Sequence, residues 1–387
     1  MNRVICVVTG SRAEYGLLRP VLSGIERSTE FSLMLVVTGT HLDQRFGATA
    51  DVIESDGFVI DARVELQQAG DDPQSIAEAI ARGVSGFGRV LSARTPDLVM
   101  ILGDRFEILA VAQACLIYRV PVAHIAGGDV TEGAWDESIR HAVTKLSHLH
   151  FVTNEAAESR VRQLGEDPRR IHRVGSPGID ALRELKLLSS EELANVLGIE
   201  LQERNFLVTY HPETLDELDP VERLESLLDA LDALPGPSPG LWFTMPNADE
   251  GGLRLMRRIE EYVSSRPHAH VWRSMGQLRY LSAMALADAV VGNSSSGLYE
   301  APSLSTPTLN IGGRQQGRPR PSSVVDCAPG SADILLGLEE VLQMKVTEAE
   351  SPYGDGRAVG RILRALSAEE DWSKLLRKEF FGLEVGS

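Results

Sequence analysis

A chain of 387 residues exceeds one ordinary hydrophobic core and suits two domains of ~100–200 residues each. Hydrophobic residues at 43%, charged residues at 24% and a mean hydropathy of −0.08 exclude a disordered, collagenous or membrane-embedded chain. The 38 Lys+Arg against 55 Asp+Glu leave a formal charge of −17, so no broad basic face exists for nucleic acid, and an anionic ligand must be met by a few placed arginines and backbone N–H groups.

In chain order, the apolar run Val4 to Thr9 predicts a first strand, too short before Gly10, Ser11 and Arg12 for a signal segment or a membrane span of ~20 residues. A helix is expected over Gly16 to Arg27, a second strand over Leu33 to Thr38, and a long helix over Pro73 to Leu91. The runs Leu98 to Leu102 and Val120 to Ile125 bracket a helix over Phe106 to Tyr118. Runs apolar on both faces belong in buried parallel strands, and their alternation with helices predicts a doubly wound α/β half. A second series follows from Phe206 to Tyr210, Leu241 to Met245, His270 to Trp272, Ala289 to Val291 and Thr308 to Ile311. The strandless stretch Ile179 to Glu203 marks the boundary between two Rossmann-like halves, and the Pro/Gly-rich stretch Pro235 to Gly240 is expected as a surface αβ loop. Cys6, Cys115 and Cys327 stand apart with no CxxC pair, which supports neither a disulfide framework nor a zinc knuckle and fits a reducing, cytoplasmic setting.

In parallel sheets ligands lie beyond the carboxyl ends of the strands, and with two such sheets the expected place is a cleft where those edges face each other. After the first strand comes Gly10 to Gly16, which is neither GxGxxG nor a P-loop, so hydride and kinase chemistry lose their support. Arg12 on this turn either solvates a helix start or offers a fork to phosphate oxygens. Asp104, in Gly103-Asp104-Arg105-Phe106-Glu107, suits the N-cap of the next helix, which is the plainer explanation; with Arg105 it could instead supply a carboxylate and an anion fork. The stretch Gly127 to Ser138 carries Asp129 and Asp136 into a helix bearing Arg140, His141 and Lys145, and so many carboxylates beside a sheet edge favour function over capping.

In the second half His211, before Pro212, either donates to phosphate, acts as acid or base near neutrality, or is a solvated loop histidine. The remaining histidines (41, 124, 141, 148, 150, 172, 268 and 270) show no metal-ligand spacing, so no metal is expected. Gly292-Asn293-Ser294-Ser295-Ser296-Gly297 opens a predicted helix and makes a cradle for a diphosphate, with Glu300 one turn on to accept from ribose hydroxyls. Arg314, Arg318 and Arg320 follow on a Gly/Pro loop, and the inferred ligand is a nucleoside diphosphate.

These segments resemble the hydrolysing UDP-N-acetylglucosamine 2-epimerases of sialic-acid and legionaminic-acid synthesis, through TGSRAEYG, GDRFE, HIAGGDVTEGAWDESIRHAVTKLSHLHF, HPET, GNSSSGLYEAPS and NIGGRQQGRPR, which span residues 8 to about 320. The resemblance implies two Rossmann-like domains of glycosyltransferase-B architecture, expected at 1–185 and 186–365, with helices 366–387 returning to the first. It implies that Arg12, Arg105, His211, Asn247, Ser294, Ser295, Ser296, Glu300 and Arg314 hold or adjoin UDP, and that Asp104, Asp136 and His211 are catalytic. Where family members carry a catalytic Glu this chain has Ala126, which leaves either Asp129 in that role or a different division of acid and base work. The activity implied is conversion of UDP-GlcNAc and water to ManNAc and UDP, without metal or redox cofactor, by a homo-oligomer (dimer or tetramer). The same chemistry on UDP-N,N′-diacetylbacillosamine or a GDP-linked sugar is the alternative, ahead of a glycosyltransferase or a sugar-nucleotide-binding regulator.

Overall fold

The apolar runs fold into two separate parallel sheets in a computed structural model that describes residues 2–67, 69–131, 134–213, 219–246, 251–346 and 351–382. Unit 1 comprises residues up to Val130, Asp136–Arg183 and the segment from Tyr353 onward; unit 2 comprises Thr131–Trp135 and Glu184–Pro352. The return to unit 1 therefore begins at Tyr353, earlier than the expected 366, and the short stretch Thr131–Trp135 groups with unit 2 rather than with residues 1–185. The earlier return has a packing cause. Ile362 and Leu366 are fully buried in the same core as Leu18 and Leu22, so the apolar face of this helix is already committed to unit 1.

Unit 1 carries β1 (Arg3–Thr9), α1 (Arg12–Glu26), β2 (Phe31–Thr38), α2 (Ala50–Ser55), β3 (Ala62–Val64), α3 (Pro73–Ala93), β4 (Leu98–Leu102) and α4 (Phe106–Tyr118). It continues through β5 (Val122–Ile125), α5 (Asp136–Leu146), β6 (Leu149–Val152), α6 (Glu155–Gln163), β7 (Ile171–Arg173) and α7 (Pro177–Glu184). The sheet runs β3-β2-β1-β4-β5-β6-β7. Its central strands are buried along both faces, which their unbroken Val, Ile, Leu and Met content requires.

Unit 2 carries α8 (Ser190–Leu197), β8 (Asn205–Thr209), α9 (Pro220–Asp232), β9 (Gly240–Thr244), α10 (Gly252–Ser264), β10 (Ala269–Trp272) and α11 (Gln277–Leu286). Then come β11 (Ala289–Gly292), α12 (Ser296–Tyr299), β12 (Thr308–Ile311), β13 (Val324–Cys327) and α13 (Ser331–Gln343). The sheet order is β10-β9-β8-β11-β12-β13, with a separate apolar cluster on each face. The last helix, α14 (Ala358–Ala368), lies in unit 1, its first N–H groups capped by the Asp180 carboxylate.

Each sheet has one point where the winding reverses: between β1 and β4 in unit 1, and between β8 and β11 in unit 2. The backbone parts there, and the crevice beyond the carboxyl ends is where an α/β sheet binds its ligand. No helix among the described residues is long and apolar enough to cross a membrane.

Candidate active site

At the β1/β4 reversal, Ser11 and Glu14 close a capping box that starts α1 at Arg12, ahead of the expected Gly16. Glu14 Oε2 accepts from the N–H groups of Gly10 (2.6 Å) and Ser11 (3.1 Å), and Ser11 Oγ accepts from Glu14 N–H at 3.3 Å. Glu107, fully buried at 0% exposure, accepts from Arg105 Nε at 2.7 Å. A Cβ on Gly10 would stand 2.6 Å from Glu107 Cγ, so the glycine is what lets this carboxylate reach the end of β1. Burial and the neighbouring Glu107 hold the Glu14 carboxyl well above the ordinary range, against the opposing pull of Arg105. Arg12 lies near enough to His41 to reinforce the effect of burial, which pushes that imidazole down to about 3; His41 is fixed between Thr9 (3.0 Å) and Thr49 (2.7 Å).

The turn after β4 departs from the capping explanation. Arg105, not Asp104, occupies the N-cap of α4 and makes no side-chain cap bond. The Asp104 carboxylate pairs instead with Arg140 Nη2, on α5. Arg140 is 2% exposed, and its Nη1 also donates to the Asp129 carbonyl (2.8 Å) and to Glu137 (3.3 Å). Asp136 opens the same helix one turn earlier, on the face that carries Arg140. The guanidinium thus ties the Asp104 turn and the Asp129 backbone to α5, the helix that Asp136 opens. His124 donates from Nε2 to the Gly103 carbonyl at 2.7 Å, and Thr144 engages its Nδ1 at 3.3 Å. Burial pushes the His124 imidazole down to about 3, so it acts as a neutral brace for the Asp104 turn.

Asp129 is held differently. Both its oxygens accept from Thr153 Oγ1, at 2.9 and 3.1 Å, and Asn154 Nδ2 donates to Oδ1 at 3.2 Å. Those bonds tie the loop to the β6–α6 junction. Ala126, the position without a carboxylate, sits in the left-handed region at φ 63°, a conformation that costs a side-chain-bearing residue roughly 1–2 kcal/mol.

In unit 2, His211 follows β8, and its backbone is bound by the side chain of Asn293 from the β11 turn. Ser294 and Ser296 do flank that turn, but the helix they enter is the single turn α12. Pro302 has no N–H to donate, and the chain passes into a 3₁₀ turn at Ala301–Leu304. Glu300 therefore closes α12 rather than lying within a longer helix, and the cradle rests on hydroxyls more than on a helix terminus. Tyr280 OH meets Ser296 Oγ at 2.5 Å, which meets Ser294 Oγ at 3.1 Å, and Thr209 meets Thr244 at 2.6 Å. Ser295 holds the N-cap position without a side-chain cap bond. Glu300 is 7% exposed; burial pushes its carboxyl up to about 8, with Arg318 opposing. Arg314 donates to the Asn293 carbonyl, and Arg318 donates to Thr131 Oγ1 at 2.9 Å. Asn247 lies outside the described residues.

A family model described as UDP-N-acetylglucosamine 2-epimerase matches residues 23–367. The chain belongs to that family. A GDP/UDP-N,N′-diacetylbacillosamine 2-epimerase (hydrolyzing) of Campylobacter jejuni is 39% identical over 326 residues, 84% of each chain. The UDP-N,N′-diacetylbacillosamine 2-epimerase (hydrolyzing) of Legionella pneumophila is 35% identical over 379 residues, 98% of this chain and 99% of its own. A crystal structure of UDP-GlcNAc 2-epimerase from Neisseria meningitidis bound to UDP-GlcNAc shares the fold, with a TM-score of 0.78 at 19% identity over 95% of this chain and 100% of that one.

In this 2-epimerase family member, Asp104, His211, Ser294 and Arg314 follow shortly after β4, β8, β11 and β12, whereas Asp136 opens α5 and Glu300 closes α12, each well past the end of the preceding strand. Sequence reasoning did not single out Arg140, Glu14, Glu107, Tyr280 or Asn293 as parts of the site. Only Arg140 had a readable signal, the four-residue spacing from Asp136. The others are defined by partners distant in sequence. Among the described residues no group of three or more His, Cys, Asp and Glu side chains could hold a metal ion.

Proposed function

We propose that this chain is a hydrolysing 2-epimerase that converts UDP-GlcNAc and water to ManNAc and UDP. The observation that carries this is the Asp104–Arg140 pair after β4, with Asp136 one turn before Arg140 on α5. Carbon 2 of a sugar without a keto group has no acidic proton until the bond at carbon 1 begins to break. Elimination solves this. One carboxylate takes the C2 proton, the C–H electron pair becomes the C1=C2 bond, and the C1–O pair leaves with UDP, giving 2-acetamidoglucal. The partner carboxyl, protonated at this stage, then gives its proton to the opposite face of C2 as the oxygen of water bonds C1. The proton that water loses passes back to that carboxylate, while the first carboxyl releases the C2 proton to solvent.

Asp104 and Asp136 are the acid and base pair in this scheme. Arg12, Arg105, His211 and Arg314 oppose the charge that develops on the departing diphosphate. Ser294, Ser295, Ser296 and Asn247 supply neutral donors to it, and Glu300 accepts from the ribose. Asp129, with its oxygens on Thr153 and Asn154, orients the loop leading to Asp136 rather than transferring a proton. Turnover in deuterated water followed by NMR tests the scheme: the free 2-epimer is expected to carry deuterium at C2, and product with its original hydrogen would overturn it.

A second assignment of the sugar has an observation behind it. Both relatives described above are named for N,N′-diacetylbacillosamine, at 39% and 35% identity. Parallel assays of UDP-GlcNAc and of UDP- and GDP-linked N,N′-diacetylbacillosamine decide between them by kcat/KM.

A further inference from the structure

Asn293 is fully buried at 0% exposure, and both polar atoms of its side chain bond one residue far away in sequence. Its Oδ1 accepts from the His211 N–H at 2.7 Å, and its Nδ2 donates to the His211 carbonyl at 2.9 Å. A carboxamide has the donor and acceptor pattern of a peptide group, so this two-point pair extends the β8–β11 ladder one step past the end of the strands. The main-chain ladder itself ends with the Asn293 N–H on the Thr209 carbonyl at 3.2 Å, and the side chain makes the next step to His211. Gly292 turns away at φ 134°, pressed so close to β8 that a Cβ there would stand 2.0 Å from the Thr209 carbonyl. On the other strand Pro212 follows His211 and has no N–H to offer. The Asn293 backbone carbonyl, by contrast, accepts from Gln315 Nε2 at 2.7 Å and from Arg314 Nη1 at 3.4 Å.

We propose that Asn293 is a positioning residue that sets the His211 imidazole for the reaction by gripping both polar groups of the His211 backbone. This rests on the role given to His211 under Proposed function. Because Arg314 and Gln315 bind the backbone carbonyl of Asn293, changing its side chain leaves their acceptor in place and isolates the effect on His211. An aspartate has the same shape but no Nδ2 donor, so it sets a carboxylate oxygen against the His211 carbonyl; an alanine removes both bonds.

The test is a double-mutant cycle on kcat/KM with N293D and N293A, each alone and combined with H211A, each checked for folding by circular dichroism and thermal midpoint. Either Asn293 variant is expected to lose at least tenfold in the wild-type background and less than twofold in the H211A background. Equal losses in both backgrounds, or no loss in a folded variant, overturn the proposal. Because two substitutions of different size are used, failure of N293A to fold leaves N293D to decide. The second readout needs no turnover: the His211 ring resonance, identified by its disappearance in H211A, is expected to shift in N293D, and an unmoved resonance also overturns the proposal. Absence of turnover by the wild-type protein on every sugar nucleotide would instead count against the assigned reaction, so the two failures are separable.

Discussion

Binding of UDP should release a proton from Glu300. The free carboxyl, pushed up to about 8 by burial, is ~90% protonated at pH 7. Ribose hydroxyls donate hydrogen bonds that a carboxylate accepts better than a carboxylic acid, so binding selects the ionised form. With the bound group back near the ordinary carboxylate range, ~0.9 proton leaves per UDP at pH 7. Apparent affinity then strengthens ~9-fold from pH 6 to 7, about 1.3 kcal/mol, by ~5-fold from pH 7 to 8, and by less than ~2-fold above that. UDP carries its own titrating phosphate, so the quantity to follow is the ratio of wild-type to Glu300→Gln affinity. Glutamine keeps an acceptor oxygen and has no proton to lose. Isothermal titration calorimetry in buffers of different ionisation enthalpy gives both the ratio and the proton count. A ratio that stays flat from pH 6 to 8, or equal proton release by both proteins, would refute the reasoning.

Three further outcomes are expected. Gly292→Ala places a Cβ 2.0 Å from the Thr209 carbonyl at φ 134°, so urea unfolding should show a loss above ~3 kcal/mol; a loss under ~1 kcal/mol would mean the turn is not backbone-limited. The folded Glu14 carboxyl holds its proton to higher pH than the unfolded one, so wild-type stability is sapped as pH rises above about 4.5, the unfolded value. Glu14→Gln keeps the acceptor for the Gly10 and Ser11 N–H groups without the titration, and its urea midpoint should fall less between pH 5 and 8; parallel curves would contradict this. Burial raises Glu166, but His150, Lys145 and Lys378 reverse that and bring it down to about 2, so its contribution is present above about 4.5 and fades as pH falls toward 2. Glu166→Gln should therefore cost ~3 kcal/mol at pH 7, with the difference shrinking below pH 4 and proteolysis starting in residues 372–382; unchanged cleavage there would discount the ion network.

The central strands were legible because burial on both faces demands unbroken apolar runs: β4 and β12 lie at the residues expected from the sequence. β3, β7 and β13 escaped because edge strands are short and half-solvated, and Ala62-Arg63-Val64 or Ile171-His172-Arg173 has no such run. β6 escaped for a different reason. His150 interrupts it, and only the Glu166 partner at 2.9 Å makes a fully buried histidine tolerable there. Site residues at strand termini followed from topology alone, since every parallel strand ends toward the same edge. What sequence order hides is which of them touch. The Asp104 partner lies on α5 and the His211 partner on the β11 turn, and no local pattern at either aspartate or histidine announces them. Asp104 shows the direction of the error: taken locally it is a good helix cap, and the distant Arg140 redirects it.

The tail that returns to unit 1 has a consequence for biosynthesis. Arg3 donates to the carbonyls of Glu369 and Glu370, and the Phe31 ring stacks on Trp372 at 5.8 Å. A ribosome makes those partners after the whole of unit 2, so the second sheet can close while the first still exposes Phe31, Leu18 and Leu22. Nascent chains stalled before Tyr353 should present that uncovered apolar surface to chaperones until the returning helix buries it.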